Sequence, residues 1–190
     1  MTILDLIKKT AVIFNVENVL QDPSLDSLTN ATQPTILSTN SQLNRMFELS
    51  KVVLCEVYSY VNKEIDVVVN ATNCQIDRSL LGNVGRVVLV RNKYGKVNYQ
   101  LKDDKIVLDN DGEYIVKCVV APRTDYLNNE IDMLNGTITE DLIINGLGAY
   151  YCLSTGLFEE YNVYNGRYID GFSRLKNLKL FAMPCRSWHE

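Results

Sequence analysis

The chain has a single histidine, His189, and none of its five cysteines (Cys55, Cys74, Cys118, Cys152 and Cys185) forms a C-x-x-C pair. No plausible zinc ligand set remains, so no metal is expected. Serine or cysteine nucleophiles likewise lack the base they normally need, since His189 stands alone. No G-x-x-x-x-G-K-[ST] or G-x-G-x-x-G run occurs, and no cofactor is expected. Gly82-Asn83-Val84-Gly85 reads as a turn before a strand, and Asn145-Gly146-Leu147-Gly148 as part of a helix. Lys/Arg-rich runs are missing too, and the net charge of -4 argues against a protein that grips phosphates. The opening MTILDLIKKTAVIF lacks a basic n-region, and its lysines break the apolar run. Neither a signal peptide nor a membrane span is expected there.

Acidic pairs are the remaining catalytic candidates: Glu159-Glu160, Asp103-Asp104 and Glu140-Asp141. Neighbouring carboxylates on a helix diverge by about 100°, so they do not converge on one substrate. Asp103-Asp104 reads better as a turn, and Glu140-Asp141 as charge at a helix start. A non-enzymatic protein is therefore expected. A small hydrolase working through Asp103 or Glu159 is the weaker alternative.

What the chain does have is apolar content: 46% hydrophobic against 22% charged residues over 190 positions, enough for one large domain with a core. Cys55, Cys118 and Cys152 sit in apolar periodic runs, where small buried thiols are expected, and the odd, scattered set suits synthesis in a reducing cytosol. Ile3, Leu6, Ile7, Ala11 and Phe14 recur at three and four, predicting a helix over residues 2–14 with Asp5 early and Lys8 and Lys9 later. Residues 19–38, dense in Pro, Ser, Thr, Asn and Asp, read as a long loop or an arm. A second helix should run from Thr39-Asn40-Ser41 to about Lys63, burying Leu43, Met46, Phe47, Val53, Leu54, Val57 and Val61.

Val67-Val68-Val69 reads as a strand. RVVLVRN, KVNYQLK, DKIVLD and EYIVKCVV follow between Arg86 and Ala121, broken by Lys93-Tyr94-Gly95, Asp103-Asp104 and Asn110-Asp111-Gly112. Spacing this tight predicts an antiparallel meander, with Asp111-Gly112 as a hairpin turn. Thr137 and Glu140 stand at capping-box spacing ahead of a third helix, and Gly156 is placed to end it in the left-handed conformation. A fourth helix should run from Leu157 to about Leu178, antiparallel to the third. Gly146 and Gly148 cost roughly 1 kcal/mol each inside a helix, which points to another backbone close by. In the ending FAMPCRSWHE, where Pro184 stops any helix, Phe181, Met183 and Trp188 are expected to dock rather than hang free.

The expected fold is thus α+β in a single domain. A helical bundle (residues 1–65 and 137–178) comprises the N-terminal helix, the long helix and the C-terminal helical hairpin. It carries an inserted antiparallel β-meander at 66–122 and an extended docking tail at 179–190.

Five of the eleven tyrosines fall between Gly148 and Tyr168. Tyr161, Tyr164, Tyr168, Phe172 and Leu175 recur at three, four, four and three, on one helical face. Each ring taken singly reads as a core aromatic with its hydroxyl at the rim. The whole stripe reads as a protein–protein surface, too wide for one helical hairpin to bury unaided.

The stretch ITEDLIINGLGAYYCLSTGLFEEYNVYNGRYIDGFSRL (residues 138–175) and the ending Arg186-Ser187-Trp188 resemble the head-to-tail adaptor proteins of tailed bacteriophages, in particular the tail-tubular or gatekeeper type of short-tailed phages. A helix of small and aromatic residues precedes an acidic-aromatic helix ending in basic residues, and the order of elements is similar in outline. The resemblance implies a virion component made in the host cytoplasm. Its copies would form a dodecameric ring beneath the portal, contacting portal and downstream tail proteins and passing DNA without sequence-specific binding. Contacts implied on that basis are Tyr161, Tyr164, Tyr168, Phe181, Arg186 and Trp188. A capsid or baseplate module is the other structural reading.

Overall fold

The first helix begins where Thr2 and Asp5 cap one another: the Thr2 hydroxyl accepts from the Asp5 amide, and the Asp5 carboxylate accepts from the Thr2 amide. That reciprocal bonding holds the Asp5 carboxyl below the usual carboxylate range. The computed structural model describes residues 1–82, 84–134 and 136–181, with side chains as far as Leu175. The fold is mixed α+β, in two units: Met1–Tyr60 together with the return segment from Arg123, and Val61–Pro122.

In the first unit, α1 (Ile3–Ile13) buries Ile3, Leu6, Ile7 and Ala11. The segment expected as a loop is mostly helical turns: α2 (Glu17–Leu20), a 3-10 turn at Pro23–Ser27, and α3 (Gln33–Thr39). Its polar composition misleads because the polar groups cap turns instead of solvating a loop. Both prolines open a helical turn, where the missing N–H is not required. The Asn40 amide donates to the Asn18 carbonyl and the Asp22 carboxylate, while its oxygen accepts from the Leu43 amide. Buried Gln33 spans to the return segment, donating to the Asp125 carbonyl and accepting from the Leu127 amide at 2.7 Å.

The long helix α4 (Ser41–Val61) buries the expected stripe, from Leu43 and Met46 through Phe47 and Val53 to Val57 and Val61. Cys55 departs from expectation: it lies on the outer side and is exposed, whereas Cys118 and Cys152 are buried. α1 and α4 are each followed by an asparagine at positive φ, Asn15 at 52° and Asn62 at 50°, a residue type that tolerates this helix-ending conformation.

In the second unit all strands pair antiparallel, although not as a meander. β1 (Glu64–Ala71), β2 (Gln75–Asp77), β3 (Val84–Asn92), β4 (Gly95–Val97), β5 (Gln100–Lys102), β6 (Lys105–Val107) and β7 (Gly112–Val120) form two sheets. Their orders are β1-β7-β3-β4 and β2-β6-β5. β3–β4 and β5–β6 are local hairpins, the latter turning at Asp103-Asp104 as expected. β7 instead returns between β1 and β3, because its residues are apolar on alternate positions and nearly all shielded, as a central strand requires. Asp111-Gly112 is therefore a passage from one sheet to the other and not a hairpin turn; the Asp111 carboxylate accepts from the Cys74 amide. The actual tight turn is Asn73-Cys74, both at positive φ (54° and 58°), which joins β1 to β2. Val69, Ile76, Val90, Ile106, Tyr114 and Val116 make the core of this unit.

The chain re-enters the first unit through a segment that bonds to the start of α1: Ile3 and Leu4 amides donate to the Asn129 and Leu127 carbonyls. α5 (Glu140–Thr155) is capped by Thr139, whose hydroxyl accepts from the Leu142 amide. The Thr137–Glu140 capping box does not form; the helix is capped two residues later, and Glu140 instead pairs with Lys9 of α1 at 2.5 Å. Gly156 ends α5 at φ 80°, ψ 16°, as expected, and α6 (Phe158–Phe181) folds back along it. Leu142 meets Gly171, Gly146 meets Tyr168, and Gly148 meets Tyr164, an antiparallel sequence of contacts.

What lies over the α5 glycines is not a backbone. A Cβ on Gly146 would stand 2.5 Å from the Tyr168 ring and 2.8 Å from Val53, and one on Gly148 would be 3.1 Å from the Tyr164 ring and 3.3 Å from Phe14. Gly146→Ala is therefore expected to destabilise the protein by about 1–3 kcal/mol through overpacking. Gly166→Ala, where no atom lies within 4 Å, should stabilise it by up to about 1 kcal/mol through helix propensity. Urea unfolding of the two variants checks the opposite signs.

Candidate interaction surface

The aromatic face of α6 turns inward. Tyr168 and Leu175 are buried; Tyr161, Tyr164 and Phe172 are half-buried. Tyr168 lies in the chain's own core, which closes it to a partner. The stripe is not buried by the hairpin unaided: Phe14, the residue that caps the end of α1, places its ring 5.1 Å from both Tyr151 and Tyr164, and α4 supplies Val53, Glu56 and Tyr60. Of the other expected contact residues, Arg186 and Trp188 lie outside the described residues, as does the Phe181 side chain.

At the centre of this face the Glu56 carboxylate of α4 accepts from two phenols. Tyr150 of α5 donates to Oε1 at 2.5 Å, and Tyr168 of α6 donates to Oε2 at 3.0 Å. One side chain thus binds three helices. The hydrogen bond to Glu56, reinforced by burial, pushes the Tyr150 phenol up to about 12. Burial, and then the Glu56 charge, push Tyr168 further in the same direction. Glu56 falls off the apolar stripe of its helix, and helical periodicity gives no sign of its role because its partners come from helices about a hundred residues on. Tyr58 makes a second buried anchor, donating to the Asp132 carbonyl of the return segment.

The surface the hairpin leaves open is apolar and made by other residues. Phe158, Val163 and Ile169 are 64%, 51% and 55% exposed, and Leu153 and Leu157 are exposed beside the turn. Phe158 and Ile169 stand about three helical turns apart on one side of α6, and Gly166 between them carries no side chain. On another side, a cleft of about 750 Å³ runs along the start of α5 and the middle of α6. Its charged lining is balanced, with Asp141 and Asp170 against Arg167 and Arg174.

The carboxylate pairs lie in separate local settings. Glu140 is held by Lys9, Glu159 and Glu160 stand in the exposed first turn of α6, and Asp103 occupies a hairpin turn at φ 49°. No three His, Cys, Asp or Glu side chains among the described residues are placed to hold a metal ion, and no described helix is long and apolar enough to cross a membrane. No protein-family model matches the chain, and no curated protein matches its sequence.

Because the Tyr150 phenol titrates higher in the folded chain than its ordinary value of 10, its contribution to stability is fully present below about pH 10. It is lost as pH rises through about 12. Urea stability measured from pH 9 to 12 should therefore fall with rising pH, and Tyr150→Phe should make that fall shallower while lowering stability at pH 8 by about 1 kcal/mol. An unchanged slope in the variant would show that the phenol–carboxylate bond does not couple to folding.

Proposed function

We propose that the chain is a structural subunit of a tailed-phage virion, forming an oligomeric ring that joins the portal to the tail and extends the DNA channel. The observation that carries this reading is the exposed apolar set on the closing hairpin: Phe158 and Ile169 on one side of α6, with Val163 further round the helix and Leu153 and Leu157 beside the turn. Exposed apolar side chains clustered on one helical hairpin mark protein contact. The resemblance of residues 138–175 to phage adaptors supplies the kind of assembly, and the same helices carry both features. In this reading the contact surface is the outer side of α5 and α6, joined by half-buried Tyr161 and Tyr164 at its margin; Phe181, Arg186 and Trp188 are the further contact residues that the resemblance implies.

The ring is dodecameric, the protein is located in the virion, and it catalyses no reaction. DNA passes its acidic body without being gripped, consistent with a net charge of -4. Helical bundle and C-terminal tail form the assembling part, and the β unit is an insertion carried on it.

Light scattering and electron microscopy of the full chain, alone and mixed with a portal, test the proposal. Rings, or a stoichiometric portal complex, are the expected outcome. Phe158→Asp with Ile169→Asp should abolish them while the far-ultraviolet circular dichroism stays unchanged. A chain that remains a monomer with the portal present, or that assembles equally well with both substitutions, would overturn it.

A further inference from the structure

The Glu56 carboxylate carries a charge that nothing in the described structure neutralises. Both of its oxygens accept a phenol, from Tyr150 and Tyr168, yet no lysine or arginine pairs with it among the described residues. An ionised carboxylate offers about four acceptor positions. The two phenols take one on each oxygen and hold the group in a fixed orientation; among the described residues no other side chain donates to it.

Glu56 also lines an open concavity of about 520 Å³, together with Ser59, Tyr60 and Phe172. The Phe172 ring meets Tyr60 at 4.8 Å and 62°, and Tyr168 at 4.7 Å and 64°. These edge-on contacts fix the walls, and Tyr60 remains 37% exposed toward solvent. Ser59 donates its hydroxyl to the Glu56 carbonyl, so its oxygen keeps free acceptor positions.

A fixed carboxylate beside an open concavity with aromatic walls matches one cation chemistry better than others. A calcium or magnesium ion needs six or more oxygen ligands, more than this site assembles. An ammonium is a compact, strongly hydrated point charge. A guanidinium is planar, donates two parallel N–H bonds to a carboxylate and stacks on aromatic rings. We propose that the Glu56–Tyr60–Phe172 concavity receives an arginine side chain presented by a partner protein. The inference does not rest on the ring reading, since an arginine-bearing partner of any kind would use the same site.

The test is a nuclear magnetic resonance titration of the full chain with N-acetyl-arginine methylamide and, in parallel, with its citrulline and lysine counterparts. Citrulline keeps the shape of arginine without the charge, and lysine keeps the charge without the fork. Saturable shifts centred on Glu56, Ser59, Tyr60 and Phe172 are expected for the arginine probe, with affinity at least about tenfold above either counterpart. Glu56→Gln should lower arginine affinity by about tenfold. That change also disturbs the two phenol bonds, so Tyr60→Leu, which leaves them intact, supplies the independent variant and should lower affinity about threefold. Citrulline or lysine binding as tightly as arginine would overturn the proposal. Shifts centred elsewhere, or undiminished affinity in both variants, would do the same.

Discussion

Ring-on-glycine packing is the constraint from which the first unit is built. Gly146 and Gly148 let the Tyr168 and Tyr164 rings settle against the α5 backbone, at separations that a single methyl group would violate. Helix propensity opposes glycine at both places, and close packing against aromatic surface offsets it. Only at that depth does the Tyr168 hydroxyl reach Glu56, on a helix that ended before the β unit began. Tyr150 reaches the same carboxylate from α5. The closing hairpin is therefore bound to the long helix by a polar clamp within an aromatic layer, and Phe14 at the end of α1 completes that layer.

This arrangement decides which surface is left for partners. With the tyrosine stripe turned inward, the outer side of α6 is presented, where Phe158, Val163 and Ile169 stand exposed around a glycine with empty space over it. The hairpin is thus aromatic within and sparsely apolar without. The inner layer is stiffened by ring contacts and two hydrogen bonds, while the outer one has few interactions of its own to give up on association.

Local signals were legible wherever the chain's own neighbours determine the structure. The three- and four-residue spacing of Ile3, Leu6, Ile7 and Ala11, the stripe of α4, and Gly156 as a left-handed stop all depend on contacts within a few residues. Signals failed where the partner is distant. Thr137 and Glu140 have the right spacing for a cap, but Thr139 takes that role once Glu140 is held by Lys9. Asp111-Gly112 looks like a hairpin turn, yet the strands on either side join different sheets. Residues 19–38 look unstructured by composition because capping side chains and loop side chains are the same types.

The amino-acid sequence by itself determined the α+β character, the positions of the long helices and the short antiparallel strands, since periodicity and turn chemistry act over a few residues. Tertiary structure alone decided the direction of the tyrosines, the insertion of β7 between β1 and β3, and the meeting of Glu56 with Tyr150 and Tyr168. Each of these joins residues far apart along the chain, and a ring on an amphipathic helix has the same spacing whether it faces its own core or a partner. The difference arises only when α1 and α4 arrive to cover it.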